Sequence, residues 1–247
     1  MEITTETVTD YLLKINTKKS TGPDGFSPKI IKLSALAIAS PLAYLFNHCI
    51  RINALPSEWK MSNVTLSTKR VKRQTKTTIS RIFERVMFDQ LCTSFTSTFS
   101  STMSGFRKAH SWATALIKLT DDGRRALDLK KDVGVAAIDL SKSFDCICHS
   151  LLLAKLKAYG VQQPALQLIR SYLHDRKQRV IRNDSSSNLL LLRCGVPQGS
   201  LLSPLLFNTF LNNISETGYR LVTPPLCSQH CPIRGGQQPI SASIHLK

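Results

Sequence analysis

The chain has 247 residues, 42% of them hydrophobic, enough to build a core and too many for a disordered linker. Its 33 Lys and Arg stand against 16 Asp and Glu, a formal charge of +17. That excess calls for a polyanionic partner, nucleic acid first, because clustered cations release condensed counterions on meeting phosphates. No run reaches the roughly 20 apolar residues of a membrane-spanning helix, and the N-terminus lacks a charged-then-apolar signal pattern. An intracellular protein, nuclear or cytoplasmic, is expected. The seven cysteines are odd in number and scattered, and read as reduced thiols. Cys146-Ile147-Cys148-His149 and Cys227-Ser228-Gln229-His230-Cys231 are too cramped for a paired zinc arrangement and read as loop and helix-end residues.

In chain order, Thr4 to Ile15 carries Val8, Leu12 and Ile15 on one helical face. Lys18 to Gly25 is a basic turn rich in Gly and Pro. Ser27-Pro28 and Ser40-Pro41 each look like an N-cap followed by proline at the first helical position, predicting helices to about Leu36 and Ile52. Lys69, Arg70, Lys72, Arg73 and Lys76 then fall within eight residues, and Glu84 is the only acid between Lys60 and Arg85. This is the strongest basic cluster and the candidate nucleic-acid contact, with a solvated loop or a nuclear-import address as the alternatives.

A helix is expected over Ile79 to Phe99. Gly105-Phe106-Arg107-Lys108 is a basic loop before a helix capped by Ser111 that runs to about Lys130, with Ala115, Leu116, Leu119 and Leu127 inward. Val133 to Leu140 is almost continuously apolar, as a central strand buried on both faces would be. Helices follow from His149 or Ser150 through Tyr159 and from Pro164 to about His174. Gln178 to Arg182 and Leu189 to Cys194 read as a hairpin, and Leu201 to Ile214 as a last apolar helix. From Ser215 to Lys247 neither helical nor strand period survives, and an irregular tail without packed structure is expected.

Asp139 ends the predicted strand, where packing fixes the backbone while the carboxylate projects into a cleft. Phosphodiester synthesis needs such an acid, because two divalent ions activate the primer hydroxyl and neutralise the transferring phosphoryl group, and magnesium demands hard oxygen ligands. Spacing alone favours an exposed strand-terminal aspartate or helix cap over the catalytic reading. Several segments, taken together in this order, resemble the reverse transcriptase domain of non-LTR, LINE-like retrotransposons over roughly residues 5 to 214. They are Lys19-Ser20-Thr21-Gly22-Pro23-Asp24-Gly25, Leu55-Pro56-Ser57-Glu58-Trp59-Lys60, Ile82-Phe83-Glu84-Arg85, Ser104-Gly105-Phe106-Arg107, Asp139 to Asp145 and Gly195-Val196-Pro197-Gln198-Gly199-Ser200.

The resemblance implies an α+β fold: a right-hand polymerase fingers and palm fragment with a small, mostly antiparallel sheet packed by helices. Fingers would span 1–130, palm 131–214 and the tail 215–247, with Val133 to Leu140 and Gln178 to Cys194 in the palm sheet. It implies that Asp139 is the catalytic metal ligand, that Leu140 lends a backbone carbonyl to metal and substrate, and that Phe144 is the steric gate favouring deoxynucleotides. Gln198 and Gly199 would lie beside the incoming nucleotide, and Arg107 and Lys108 would contact phosphates. Partners would be an RNA template, a DNA primer or duplex, and deoxynucleoside triphosphates. Magnesium, or manganese in its place, would be the cofactor of an active form.

The pattern also breaks. The family supplies its remaining metal carboxylates from an Ala-Asp-Asp box after the Gly195 motif, but beyond Asp184 this chain has no aspartate and one glutamate, Glu216. The family's Asn-Tyr-Arg-Pro-Ile-Ser motif is reduced to Ile79-Ser80 after a short Leu66 to Thr78 segment, and the endonuclease and thumb of complete elements are missing. An RNA-directed DNA polymerase fragment is therefore expected, inactive as it stands and not holding metal stably. The alternatives are a catalytically dead, basic nucleic-acid-binding remnant and the non-functional product of a decayed element.

Overall fold

A computed structural model describes residues 2–19, 21–66, 72–95, 98–99, 105–106, 111–134, 142–182 and 185–215. Thr4 caps α1 (Thr5–Leu13), its side chain accepting from Thr7 N, and Val8 and Leu12 are fully buried as the helical period requires. Ser27 and Pro28 open α2 (Pro28–Leu33) as expected, but that helix is only one and a half turns long. The Ser40-Pro41 expectation is corrected: α3 runs Ala35–Ile52 with Pro41 inside it. Pro41 removes the donor that would reach the Ala37 carbonyl, and both residues are exposed, where water can take over that carbonyl. The opposite face, Ala39, Leu42, Ala43, Phe46 and Cys49, stays in the core. By length and composition α3 is the one described helix apolar enough to cross a membrane, at a mean hydropathy of 1.2 over 18 residues. Here it packs against α1 and α7 (Gln163–Leu173).

The core gathers around three rings, Phe46 of α3, Trp59 and Phe83, with centroids 5.1–5.8 Å apart in tilted and edge-on contacts. Phe83 belongs to α4 (Thr78–Phe95), which ends before the expected Phe99. Ser111 caps α5 (Trp112–Asp128) through a reciprocal pair with Thr114. The inward set expected for α5 is wrong, since Leu116, Leu119 and Leu127 are all at least 48% exposed. Capping and propensity suffice to form the helix, but no described element packs closely enough to bury its apolar stripe. Val133 and Gly134 are not in a strand, and the rest of the predicted central strand, 135–140, lies outside the described residues, as does the tail from 216.

The described sheet is built from other segments. Residues 61–66, for which no element is expected from the sequence, form β1 (Met61–Leu66), which pairs antiparallel with β2 (Lys72–Thr75). β1 also pairs in parallel with β3 (Arg176–Arg182), in register from Met61↔Lys177 to Thr65↔Ile181. The expected mostly antiparallel sheet is therefore partly parallel, and it joins chain on both sides of the boundary expected at residue 130. The predicted hairpin forms, with β3 antiparallel to β4 (Ser185–Ser186) and to β5 (Leu190–Leu192). Its register shifts by one residue between Ile181↔Ser186 and Gln178↔Leu190, the signature of a bulge. The helices α6 (His149–Ala158), α7 and α8 (Leu202–Leu211) start close to where the sequence placed them, α7 with Pro164 in its first turn.

Candidate active site

Two motifs lying fifty residues apart in sequence meet in space. Lys142 to Cys146 forms a turn with Lys142 at φ 54° and its carbonyl accepting from Asp145 N at 2.8 Å. Against it lies the segment opening at Gly195. Val196 N donates to the Phe144 carbonyl and Gly195 N to the Ile147 carbonyl, both at 2.8 Å. The approach is so close that a Cβ on Gly195 would sit 2.7 Å from the Asp145 Cα and carbonyl oxygen, and Gly195 also has φ +81°. Only glycine meets both demands. The His149 Nε2–H donates to the Gly195 carbonyl at 2.7 Å, which ties the start of α6 to the same strut. Burial holds the His149 imidazole below its ordinary pKa, with the Gly195 carbonyl opposing and His174 adding to the shift.

The strut presents Pro197 to Ser200 as a tight turn closed by Ser200 N to the Pro197 carbonyl at 3.2 Å, with Gly199 at φ +75° in its third position. That leaves Gln198 at the tip. Its Nε2 donates to Asp145 Oδ1 at 3.0 Å, on the exposed side of the strut. Beside this pair the Phe144 ring is stacked on Phe207 of α8 at 4.6 Å and meets Phe106 edge-on at 5.8 Å. Asn208 of α8 holds the Phe106 turn by donating to the Gly105 carbonyl at 2.7 Å. The result is a half-exposed aromatic ledge next to a side-chain amide, a surface suited to a sugar or base with a hydrogen-bonding edge.

The turn rests on a buried polar cluster. Ser200 Oγ donates to Glu84 Oε2 at 3.0 Å and lies 2.6 Å from the Tyr172 hydroxyl, which itself donates to Glu84 Oε1 at 3.1 Å. Lys76 Nζ donates to that same Oε1 at 2.6 Å. Arg176 spans the Tyr172 and Trp59 carbonyls below, and stacks on the Tyr172 ring at 4.9 Å. Burial alone would raise the Glu84 carboxyl, but Lys76, Arg176 and the Ser200 hydroxyl outweigh it and hold it ionised. Burial brings the Lys76 ammonium down to about 8 against the pull of Glu84, and raises the Tyr172 phenol well above its usual range.

Of the residues singled out in the sequence, Phe144, Gln198 and Gly199 are brought together here. Asp139, Leu140, Arg107, Lys108, Lys69 and Arg70 lie outside the described residues. Lys72 and Arg73 lie on β2, opposite Leu66 and Thr65. Lys76 is corrected: it is 2% exposed and paired with Glu84, so it offers no cation to solvent. Asp145, His149, Tyr172 and Phe207 join the site without having been expected there. Glu84, the lone acid of a basic window, and Asp145, the last residue of the Asp139 to Asp145 segment, carry a sequence signal for their place.

A family model described as reverse transcriptase (RNA-dependent DNA polymerase) matches residues 61–221, well over half the chain. The chain belongs to the reverse transcriptase family. It is 27% identical over 235 residues to the probable RNA-directed DNA polymerase from transposon BS of Drosophila melanogaster, an alignment covering 90% of this chain and 26% of that protein. Against the RNA-directed DNA polymerase from mobile element jockey of the same fly the identity is 26% over 224 residues, covering 86% of this chain and 24% of the other. The probable polymerase from its transposon X-element is 23% identical over 221 residues. This reverse transcriptase chain thus spans about a quarter of the length of these relatives. The match agrees with the resemblance to non-LTR elements carried by the sequence motifs. Reverse transcriptases generally use divalent metal ions. Among the described residues no three His, Cys, Asp or Glu side chains converge on a point that could hold one.

Proposed function

We propose that this chain is the nucleotide-positioning part of an RNA-directed DNA polymerase from a non-LTR retrotransposon, that it binds template and primer, and that by itself it does not extend the primer. The apposition of Gln198 and Asp145, 3.0 Å apart beside the Phe144 ledge, carries this reading. It supports a pocket in which the Gln198 amide and the Gly199 backbone face a deoxynucleoside triphosphate while the Phe144 ring limits the space at the sugar's 2′ position. Asp139, six residues before Asp145, is assigned as catalytic carboxylate and metal ligand, with the Leu140 carbonyl beside it. Arg107, Lys108, Lys69, Arg70, Lys72 and Arg73 are assigned to phosphates, and fingers and palm to the regions before and after residue 130.

The lack of polymerisation follows from chemistry. One carboxylate cannot hold two magnesium ions against water, and beyond Asp184 the sequence offers only Glu216. Binding draws instead on the charge of +17 and survives. The test pairs primer extension on an RNA template, in magnesium and in manganese, with binding of the same primer–template across salt concentrations. Expected are no extension and an affinity that falls steeply with salt. Extension that persists unchanged in Asp139→Asn would overturn the role of that residue. Salt-independent binding, or none, would overturn the reading as a whole.

A further inference from the structure

The backbone bonds of the strut set two cysteines opposite one another. Gly195 N donates to the Ile147 carbonyl and Val196 N to the Phe144 carbonyl, so the two segments run antiparallel. Cys194 precedes the first donor amide, and Cys148 follows its acceptor carbonyl. In a trans peptide the preceding Cα lies on the side of the N–H and the following Cα on the side of the C=O. The Cα atoms of Cys194 and Cys148 therefore flank a single hydrogen bond. Such a pair lies about 4.5–6 Å apart, and between antiparallel segments its side chains leave the same face. Disulfides bridge Cα separations of about 4.4–6.8 Å.

Both residues are thiols in this structure, and both are partly exposed, within reach of a small oxidant. The frame around them is rigid. Ile147 and Val196 are buried, and the His149 ring is held on the Gly195 carbonyl at 2.7 Å. The Cys148 sulfur lies 3.1 Å from Ser150 Oγ. Exchanging one staggered χ1 well for another redirects it without moving the backbone. Cys146, two residues earlier, is exposed and belongs to the Lys142 turn, its amide donating to the Lys142 carbonyl at 3.2 Å.

We propose that Cys148 and Cys194 form a reversible oxidation site, at which a peroxide converts the two thiols to a disulfide that clamps the Gln198 turn to the segment carrying Phe144 and Asp145. One thiolate attacks the O–O bond of hydrogen peroxide, becoming a sulfenic acid and releasing hydroxide. The second thiolate attacks that sulfur, forms the S–S bond and expels a second hydroxide. The two thiol protons join the two hydroxides, so two thiols and one peroxide give one disulfide and two waters. A dithiol reverses the step by exchange. The bond joins segments distant in sequence, which removes entropy from the unfolded chain, and it lies at the base of the strut, where it restrains opening of the Pro197 to Ser200 turn. Its formation is independent of the polymerase reading.

The test treats the whole chain with hydrogen peroxide, blocks remaining thiols with iodoacetamide and digests with trypsin without reductant. Mass spectrometry should show peptides 143–155 and 194–220 joined with the loss of two hydrogens, and parted again by dithiothreitol. The bridge should persist in Cys146→Ser and vanish in Cys148→Ser and Cys194→Ser. Oxidation should raise the urea midpoint of the unaltered chain by about 1–2 M and slow hydrogen exchange across 194–200. A bridge that needs Cys146, sulfinic acid in place of a bridge, a bridge only between two copies, or none at all would overturn the site and leave the polymerase reading standing. A bridge that leaves the midpoint and the exchange unchanged would overturn the clamp.

Discussion

Replacing Glu84 by glutamine keeps the shape of the side chain and its capacity to hydrogen-bond Ser200 and Tyr172, but removes the charge opposite Lys76. The ammonium is then left 2% exposed, facing only the neutral amide oxygen of the new side chain and the Tyr172 hydroxyl at 3.4 Å, with the Arg176 guanidinium in the same pocket. Breaking a buried pair from one side costs about 3–5 kcal/mol, a large share of the roughly 5–15 kcal/mol that holds a domain together. The effect depends on pH in a defined direction. Lys76 in the folded chain already titrates near 8, below its ordinary 10.5, and losing Glu84 lowers it further. Above its folded pKa the unfolded chain holds the extra proton, so the stability of the variant rises with pH, and the gap to the unaltered chain narrows as the pH rises towards 8. Urea denaturation at several pH values measures this directly. The double variant Lys76→Met/Glu84→Gln should be more stable than the sum of the single changes by about 0.5–3 kcal/mol, the coupling usual for residues in contact. A Glu84→Gln cost below about 1 kcal/mol at pH 7, or a gap that ignores pH, would refute the buried-pair argument.

Gly195→Ala should destabilise by at least about 2 kcal/mol in the same denaturation assay, because it combines a positive φ with a clash against the Asp145 backbone. Gln198→Ala should cost less than about 1 kcal/mol of stability, since its bond to Asp145 is exposed, yet weaken binding of a deoxynucleoside triphosphate measured by calorimetry in the presence of primer–template. His149 titrates below its ordinary 6.5. Its contribution to stability is therefore complete above 6.5 and is lost as the pH falls through the folded value, so His149→Gln should flatten the acid side of the stability profile. Phe207→Ala removes the partly buried ring stacked on Phe144 and should cost about 1–3 kcal/mol, less than a fully buried ring would, while loosening discrimination between ribo- and deoxynucleotides in the binding assay.

Local signals were legible where local physics decides. Thr4, Ser27 and Ser111 start helices because their oxygens satisfy free amides within the next turn, and a hairpin after Gln178 follows from the polar turn sequence Asn183 to Ser187 between two strand-like segments. The Ser40-Pro41 pair misled because the same signal is tolerated inside a helix when the proline faces water. The apolar spacing of α5 promised an inner face, but burial depends on what stands opposite, and no described element does.

For the site, residues 139–145 and 195–200 pointed to a nucleotide-copying enzyme through their resemblance to a known family, and the glycines and proline of the second segment set a turn whatever surrounds it. Tertiary structure decided which charges remain available. Lys76 is indistinguishable by sequence from its basic neighbours, yet it is buried because residues as distant as Glu84, Tyr172 and Ser200 supply a carboxylate and hydroxyls around it. A side chain's type is fixed by the gene, but its charge partner and its exposure are properties of segments brought together only by folding. That is why the turn could be read along the chain, whereas the buried brace beneath it and the facing cysteines at its base could not.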